Sequence, residues 1–202
     1  RYGYPFCRGR IFDVVEKDCG QYDTVTEVMW VTGAALFIRL ADYREVGGLD
    51  DHFFAHMEEI DLCWRLRSRG KKLVCIPQSV VYHVGGATLK KENPRKTFLN
   101  FRNNLLMLYK NLPDKELEHV LFIRGILDRV AALVFYLKKD RANARAVMQA
   151  RREFEDIRYS FAASRIENIM KSTDEMIPER THFSILMKYY LLGKKHFSQL
   201  KL

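Results

Sequence analysis

Apolar and polar positions follow two different rhythms along this chain. In the first third, apolar residues come in short runs separated by glycine and proline. From Pro94 onward they recur at helical spacing. The opening segment, Arg1–Asp23, is punctuated by Gly3, Pro5, Gly9 and Gly20 and reads as irregular. Val28–Leu40 is β-branched, aromatic and almost continuously apolar, broken only at Thr32-Gly33, which predicts a strand buried on both faces. Asp42 with Glu45 three residues on predicts a short capped helix ending at Gly47-Gly48. Asp50–Met57 reads as a loop rich in aromatics and histidine. In Glu58–Arg69 the spacing of Ile60, Cys63, Trp64 and Arg67 predicts a helix, with Gly70 where a terminating glycine belongs. Lys72–Ile76, closed by Pro77, and Ser79–Val84, closed by Gly85-Gly86, read as further strands.

Asn93 as cap and Pro94 at the first helical position open a helix to Asn111, striped by Phe98, Phe101, Leu105, Leu108 and Tyr109. Pro113 and Asp114 open a second, to about Lys138, with Leu117, Val120, Leu121, Leu127, Val130, Val134 and Leu137 on one side. A third and strongly basic helix runs from about Ala142 towards Arg158. Residues 160–182 are weakly patterned, and Thr181–Gly193 reads as a last short helix. Periodicity changes near Glu92, which divides the chain into residues 1–92 and 93–202.

Charge changes at the same place. Residues 1–92 carry 13 basic and 13 acidic side chains, and residues 93–202 carry the remaining 21 and 12, so the net charge of +9 lies entirely in the latter. A chain of 202 residues that is 48% hydrophobic and 12% aromatic is not a disordered tail or a disulfide-stapled miniature. Cys7, Cys19, Cys63 and Cys75 form no C-x-x-C pair, so they read as scattered thiols of a reducing compartment rather than zinc ligands. The most apolar stretch, Val120–Leu137, is interrupted by Arg124, Asp128 and Arg129 and is not a membrane span.

Three features of residues 1–92 carry chemistry. Glu58, Glu59 and Asp61 place three carboxylates at a helix N-terminus, where free N–H groups and the dipole favour negative charge and where neighbouring carboxylates raise one another's proton affinity. His83 ends a strand beside Gly85-Gly86 and is a residue type that binds divalent metals. Thr32-Gly33-Ala34 interrupts an apolar run with its smallest residues, as where a ligand approaches backbone. Each has an ordinary counterpart: helix capping, a structural histidine, a bulge. The residues alone give an α/β domain with a basic helical appendage.

The order of the motifs adds to this. Thr32-Gly33-Ala34, Ile38-Arg39, Val46-Gly47-Gly48-Leu49-Asp50, Phe53-Phe54, the run Glu58-Glu59-Ile60-Asp61-Leu62-Cys63-Trp64-Arg65-Leu66, Gly70, Pro77 and His83 follow one another. Over about residues 26–90 this resembles the C-terminal half of the family 2 glycosyltransferases, in particular the bacterial rhamnosyltransferase-like branch that builds surface polysaccharides. The resemblance implies an α/β fold: the C-terminal half of a GT-A nucleotide-sugar transferase sheet domain in residues 1–92, followed by a basic, amphipathic helical extension in 93–202. It implies inverting transfer of a sugar from a nucleotide-sugar to a hydroxyl of a glycan or lipid-linked acceptor, with a divalent metal (Mn or Mg) on the diphosphate. Carried over, Glu59 occupies the place of the family's catalytic aspartate. Here it is Glu, one methylene longer, so the base is Glu58 or Glu59. Asp61 completes the catalytic set, supporting and orienting the site together with Arg65. Thr32, Gly33, Ala34, Arg65 and Trp64 serve substrate binding, and His83 serves the metal. The family's nucleotide-binding half with its D-x-D motif has no counterpart here, so the expectation is a C-terminal fragment, inactive by itself.

The basic extension admits a pair of readings. Arg124, Arg129, Lys138, Lys139, Arg141, Arg145, Arg151, Arg152 and Arg158 either face an anionic membrane, at the inner face of a plasma membrane in the cytoplasm, or are solvated faces of helices packed on the sheet domain or on a second copy. The alternative to an enzyme is a basic module binding a membrane or nucleic acid. Nucleic acid is the weaker partner, because no reader motif accompanies the charge.

Overall fold

The computed structural model describes residues 1–84, 93–173 and 177–200. Its framework is helical. Asn93 caps α3 (Pro94–Asn111) by accepting from the Arg95 amide at 2.9 Å, with Pro94 in the first turn. Pro113 leads into α4 (Asp114–Leu137), and Asp140 caps α5 (Arg141–Ile157) through the Asn143 amide at 3.0 Å. A 3-10 turn, Arg158–Phe161, then joins α6 (Ala162–Met170), a helix in the stretch that the sequence leaves unpatterned. α5 packs along both α3 and α4, and α6 packs on α3.

Residues 1–84 supply two short helices, α1 (Leu40–Glu45) and α2 (Glu58–Ser68), and four two-residue strands. β1 (Arg10–Ile11) pairs antiparallel with β2 (Val14–Val15), and β3 (Thr26–Glu27) pairs antiparallel with β4 (Val74–Cys75). These pairings are the sheet structure of the described residues, β4 lying within the expected strand Lys72–Ile76. No parallel sheet forms among the described residues. Val28–Leu40 is an extended segment interrupted by a 3-10 turn at Gly33–Ala35, and Ser79–Val84 holds no strand. A strand needs a neighbour on each side to satisfy its backbone, and these segments lack one. Their side chains are accordingly open: Phe37 is 91% exposed and Tyr82 97%. The capping box is also corrected, since α1 begins at Leu40, two residues ahead of Asp42, and Asp42 lies in its first turn.

The core crosses the expected boundary at residue 92. Ile60 and Trp64 of α2 are buried with Leu105, Leu106, Met107, Leu108 and Tyr109 of α3, and with Leu117, Phe154 and Phe161. The opposite side of α2, Leu62, Cys63 and Leu66, closes on Val46, Leu73 and the partly buried Val28, Trp30 and Ile38. Burial pushes the Cys63 thiol up to about 11, an inert structural thiol, whereas Cys19 is exposed; all four cysteines are free. A third cluster joins the two chain ends, with Ile11 against Ile185 and Leu200.

Candidate active site

α2 is the element that organises the site, and its entry is strained. Phe54, His56 and Met57 have φ of 59°, 69° and 73°, the left-handed region that costs a residue with a side chain of order 1–3 kcal/mol. One buried side chain holds this backbone. Asn103 of α3 donates through Nδ2 to the carbonyls of Phe53, Ala55 and His56 at 2.8, 2.9 and 2.8 Å. The result turns the chain sharply so that Glu58 and Glu59 open α2 with their carboxylates among its free amides.

Glu59 lines an open cleft of about 1420 Å³ that runs along the Val28–Ile38 segment, with Trp30, Thr32, Ala35 and Trp64 among its walls; Glu58 does not line it. One carboxylate oxygen of each glutamate, Oε2, is buried without a hydrogen-bond partner. Burial raises the Glu59 pKa above the usual carboxylate range, the Glu58 charge raises it further, and the Glu59 and Ile60 amides pull the other way. Burial likewise raises Glu58. The 3-10 turn Gly33–Ala35 comes up against this helix: a Cβ placed on Gly33 would lie 3.8 Å from that of Glu59. Thr32 caps the turn by accepting from the Ala34 amide, and Thr32, Gly33 and Ala34 are all exposed. The turn therefore lies against the start of α2 at Gly33, and Thr32 and Glu59 line the same cleft.

It turns the other assigned residues inward. Asp61 is fully buried, accepting from Arg65 Nε at 3.0 Å, Lys110 Nζ at 2.9 Å and Asn111 Nδ2 at 2.7 Å. With its oxygens filled by these donors it has no access to substrate, which corrects its place in the catalytic set. Arg65 spends its remaining donors on the carbonyls of Val46 and Gly48, so it shapes the Gly47-Gly48 loop rather than binding substrate. Gly48 itself is required there, because at φ +69° a Cβ would meet the Tyr43 ring at 2.9 Å. Trp64 is 6% exposed, with Arg180 over its ring, and meets the cleft only as a wall. Lys110 also pairs with Asp50 at 2.7 Å and lies over the Phe53 ring. Burial would raise the Asp50 carboxyl, but Lys110 and His52 outweigh it and hold the pKa low. Asn103, Lys110, Asn111 and His56, whose Nε2 is buried without a partner, carry no sequence motif and emerge only in the structure.

His83 is exposed and is not among the cleft-lining residues. The adjoining Gly85-Gly86 lies outside the described residues. Among the described residues no three side chains of His, Cys, Asp or Glu converge as a metal-ion site.

The row of cations divides as well. Arg124 is 1% exposed, bonded to Asp128, Asn104 and the Tyr2 carbonyl. Arg151 reaches Asp128 at 2.9 Å, Arg158 pairs with Glu155, and Arg129 folds onto the Gly125 carbonyl. Lys138, Lys139, Arg141, Arg145 and Arg152 are exposed, with no ion pair among the described residues.

Comparison with known proteins points one way. The chain is 31% identical over 141 residues to pre-mycofactocin glycosyltransferase of Mycobacterium tuberculosis, covering 64% of this chain and 29% of that protein. It is 38% identical over 56 residues to N-acetylglucosaminyl-diphospho-decaprenol L-rhamnosyltransferase of the same organism, 28% of this chain and 18% of that one. It is 33% identical over 69 residues to rhamnosyltransferase WbbL of Escherichia coli, 34% of this chain and 25% of that one. The chain thus spans less than a third of each of these relatives. No family model matches it, and no solved structure does. By these matches the chain is a partial relative of the glycosyltransferases, rhamnosyltransferases among them, the kind that its motif order resembles.

Proposed function

We propose that this chain forms the acceptor side of a nucleotide-sugar-dependent, inverting glycosyltransferase with part of a GT-A domain, and that Glu59 is its general base. The observation that supports this most directly is the buried, unpartnered Oε2 of Glu59, a residue that lines the open cleft. A buried carboxylate oxygen without a donor is costly unless something else uses it, and a raised pKa suits a base that must take a proton near neutrality. In the reaction, the acceptor hydroxyl gives its proton to Glu59 while its oxygen bonds to the anomeric carbon. The bond from that carbon to the diphosphate breaks on the opposite face, and the nucleoside diphosphate leaves with the electron pair. The strained entry to α2, fixed by Asn103, sets the direction of the carboxylate. Asp61, Arg65 and Lys110 position α2 against the Gly47-Gly48 loop. The name of one mycobacterial relative includes a diphospho-decaprenol acceptor, which makes a lipid-linked glycan the class to try first.

The test uses the product of the whole reading frame that contains these residues, assayed for transfer from UDP-, GDP- and dTDP-sugars. Glu59→Gln should lower kcat by about 10²–10⁴ with little change in donor KM, the range for a lost general base. Glu58→Gln should cost less than about tenfold, since Glu58 lies outside the cleft. The acid limb of kcat/KM should sit above an ordinary glutamate, because the raised pKa keeps the base protonated, and idle, to a higher pH. Full activity in Glu59→Gln overturns the assignment.

A further inference from the structure

An apolar surface outside the cleft lies on α4, on the side away from the core. Phe122, Ile126, Val130, Leu133 and Leu137 are 68, 49, 51, 55 and 71% exposed. Their spacing of four, four, three and four residues puts them in one stripe, about 22 Å long at 1.5 Å per residue. Tyr136 and Val134, also exposed, widen it on either side. The side that the sequence pattern predicts is divided between the two surfaces: Leu117, Val120 and Leu121 are in the core, whereas Val130, Val134 and Leu137 are exposed. Apolar surface of this extent on one helix marks an interaction site.

Charge says what kind. From His119 to Lys139 the chain holds a single acid, Asp128, and it is fully buried under Arg124 and Arg151. The stripe ends at Lys138 and Lys139, and α5 returns beside it with Arg141, Arg145 and Arg152. Between the two helices lies a groove of about 960 Å³, walled by Leu133, Tyr136, Arg145, Met148 and Arg152. Its acids are Glu153, which is paired with Arg102 at 2.8 Å, and Asp156. An apolar ridge bordered by cations matches a surface that is apolar inside and anionic outside. No helix of the described residues is long and apolar enough to cross a membrane, so the match is to a bilayer's surface.

We propose that the outer face of α4, with the cationic start of α5, docks onto anionic membrane lipid, the apolar stripe entering the interface and Lys138, Lys139, Arg141, Arg145 and Arg152 meeting the headgroups. The proposal is independent of the transferase reading: neither Glu59 nor the cleft enters it, and its test needs no activity. A nucleic acid would answer the cations and leave the ridge in contact with phosphate. A second copy would cover the ridge while bringing the same cations.

The experiment is co-sedimentation of the 202-residue chain with vesicles of phosphatidylcholine alone and of phosphatidylcholine with phosphatidylglycerol. Binding is expected on the mixed vesicles, weak on the neutral ones, and reduced by salt. Phe122→Ser with Leu133→Ser and Leu137→Ser should lower the partition coefficient at least tenfold with an unchanged circular dichroism spectrum, and Lys138→Glu with Lys139→Glu and Arg145→Glu should do the same. In case the apolar triple variant misfolds, Tyr136→Trp provides a separate reading. The emission of the introduced indole should shift to the blue on mixed vesicles and be quenched by brominated acyl chains. Parent-like binding of either triple variant, or an indole signal indifferent to lipid, overturns the proposal. So does a parent that ignores vesicles and sediments as a dimer that the serine variant dissociates, or one that binds duplex DNA through the same lysines.

Discussion

α3 and the segment Val28–Leu40 are both rich in large apolar residues, and the same chain treats them in opposite ways. Leu105, Leu106, Met107 and Leu108 are 2% exposed or less. Phe37 is 91% exposed, and beyond the segment Val80 and Tyr82 are at 71% and 97%. The difference is in the backbone before it is in the side chains. A helix closes its own hydrogen bonds within four residues, so α3 can be buried all round from Asn103 to Asn111 without leaving its backbone unpaired. An extended segment depends on neighbours to close its bonds, and β3 with β4 is all that the Val28–Leu40 region has. Apolar content shows that a segment can be buried. The supply of hydrogen-bond partners decides whether it is.

α3 is tied to α2 and to the loop before it by a buried ionic junction, where the largest effect is expected. Lys110→Met removes the cation shared by Asp50 and Asp61 at 2.7 and 2.9 Å and leaves Asp61 with Arg65 and Asn111. Breaking a buried pair from one side costs about 3–5 kcal/mol, read as a lower urea midpoint at unchanged slope. The pH dependence has a definite sign. The folded Asp50 carboxyl titrates below its ordinary value, so its contribution is fully present at neutral pH, falls as pH drops through the acid range towards that lowered pKa, and is absent in Lys110→Met. A midpoint within about 0.5 kcal/mol of the parent would mean that the halves are held by apolar packing alone.

Next in size is the α3 core itself. Leu106→Ala should cost about 2–5 kcal/mol, because the site is fully buried in a cluster that runs from Phe53 to Ile177. A value under about 1 kcal/mol would mean that the cluster relaxes into the space, and that the contrast between α3 and the extended segment is smaller than exposure suggests.

How much of this is legible in the sequence follows the same physics. The starts of α3 and α4 and the body of α2 can be read from Asn93, Pro94, Pro113 and Gly70, because caps and breakers act within a turn. α6 escapes, its nine residues being too short to show a period amid a weak pattern. In the site, Glu59 and the Thr32–Ala34 turn are legible as ordered motifs, and they do meet. The burial of Asp61 is not, because its partners Lys110 and Asn111 lie about 50 residues further along and have no signature of their own, and Arg65 is buried with it against the carbonyls of Val46 and Gly48. Nor is Asn103, an ordinary helix residue until three carbonyls converge on it. Of the expected strands, Lys72–Ile76 holds β4, paired with β3, while Val28–Leu40 and Ser79–Val84 hold none, because composition describes one segment and pairing is a property of two.

The smallest expected effect tests the contrast most directly. Phe37 is 91% exposed on the extended segment, beside the cleft that Glu59 lines. In the 202-residue chain, Phe37→Ser should change stability by no more than about 0.5 kcal/mol, the range for a surface site away from caps and ion pairs. The same substitution in the product of the whole reading frame reads a different quantity. If residues 26–84 are part of a GT-A domain, as proposed, the rest of that domain covers this segment, and removing a buried phenyl costs at least about 1.5–3 kcal/mol, the worth of its burial. A cost near zero in both proteins would mean that Phe37 faces water in each, and the extended segment would then be a surface of the finished molecule rather than an interior element awaiting its neighbours.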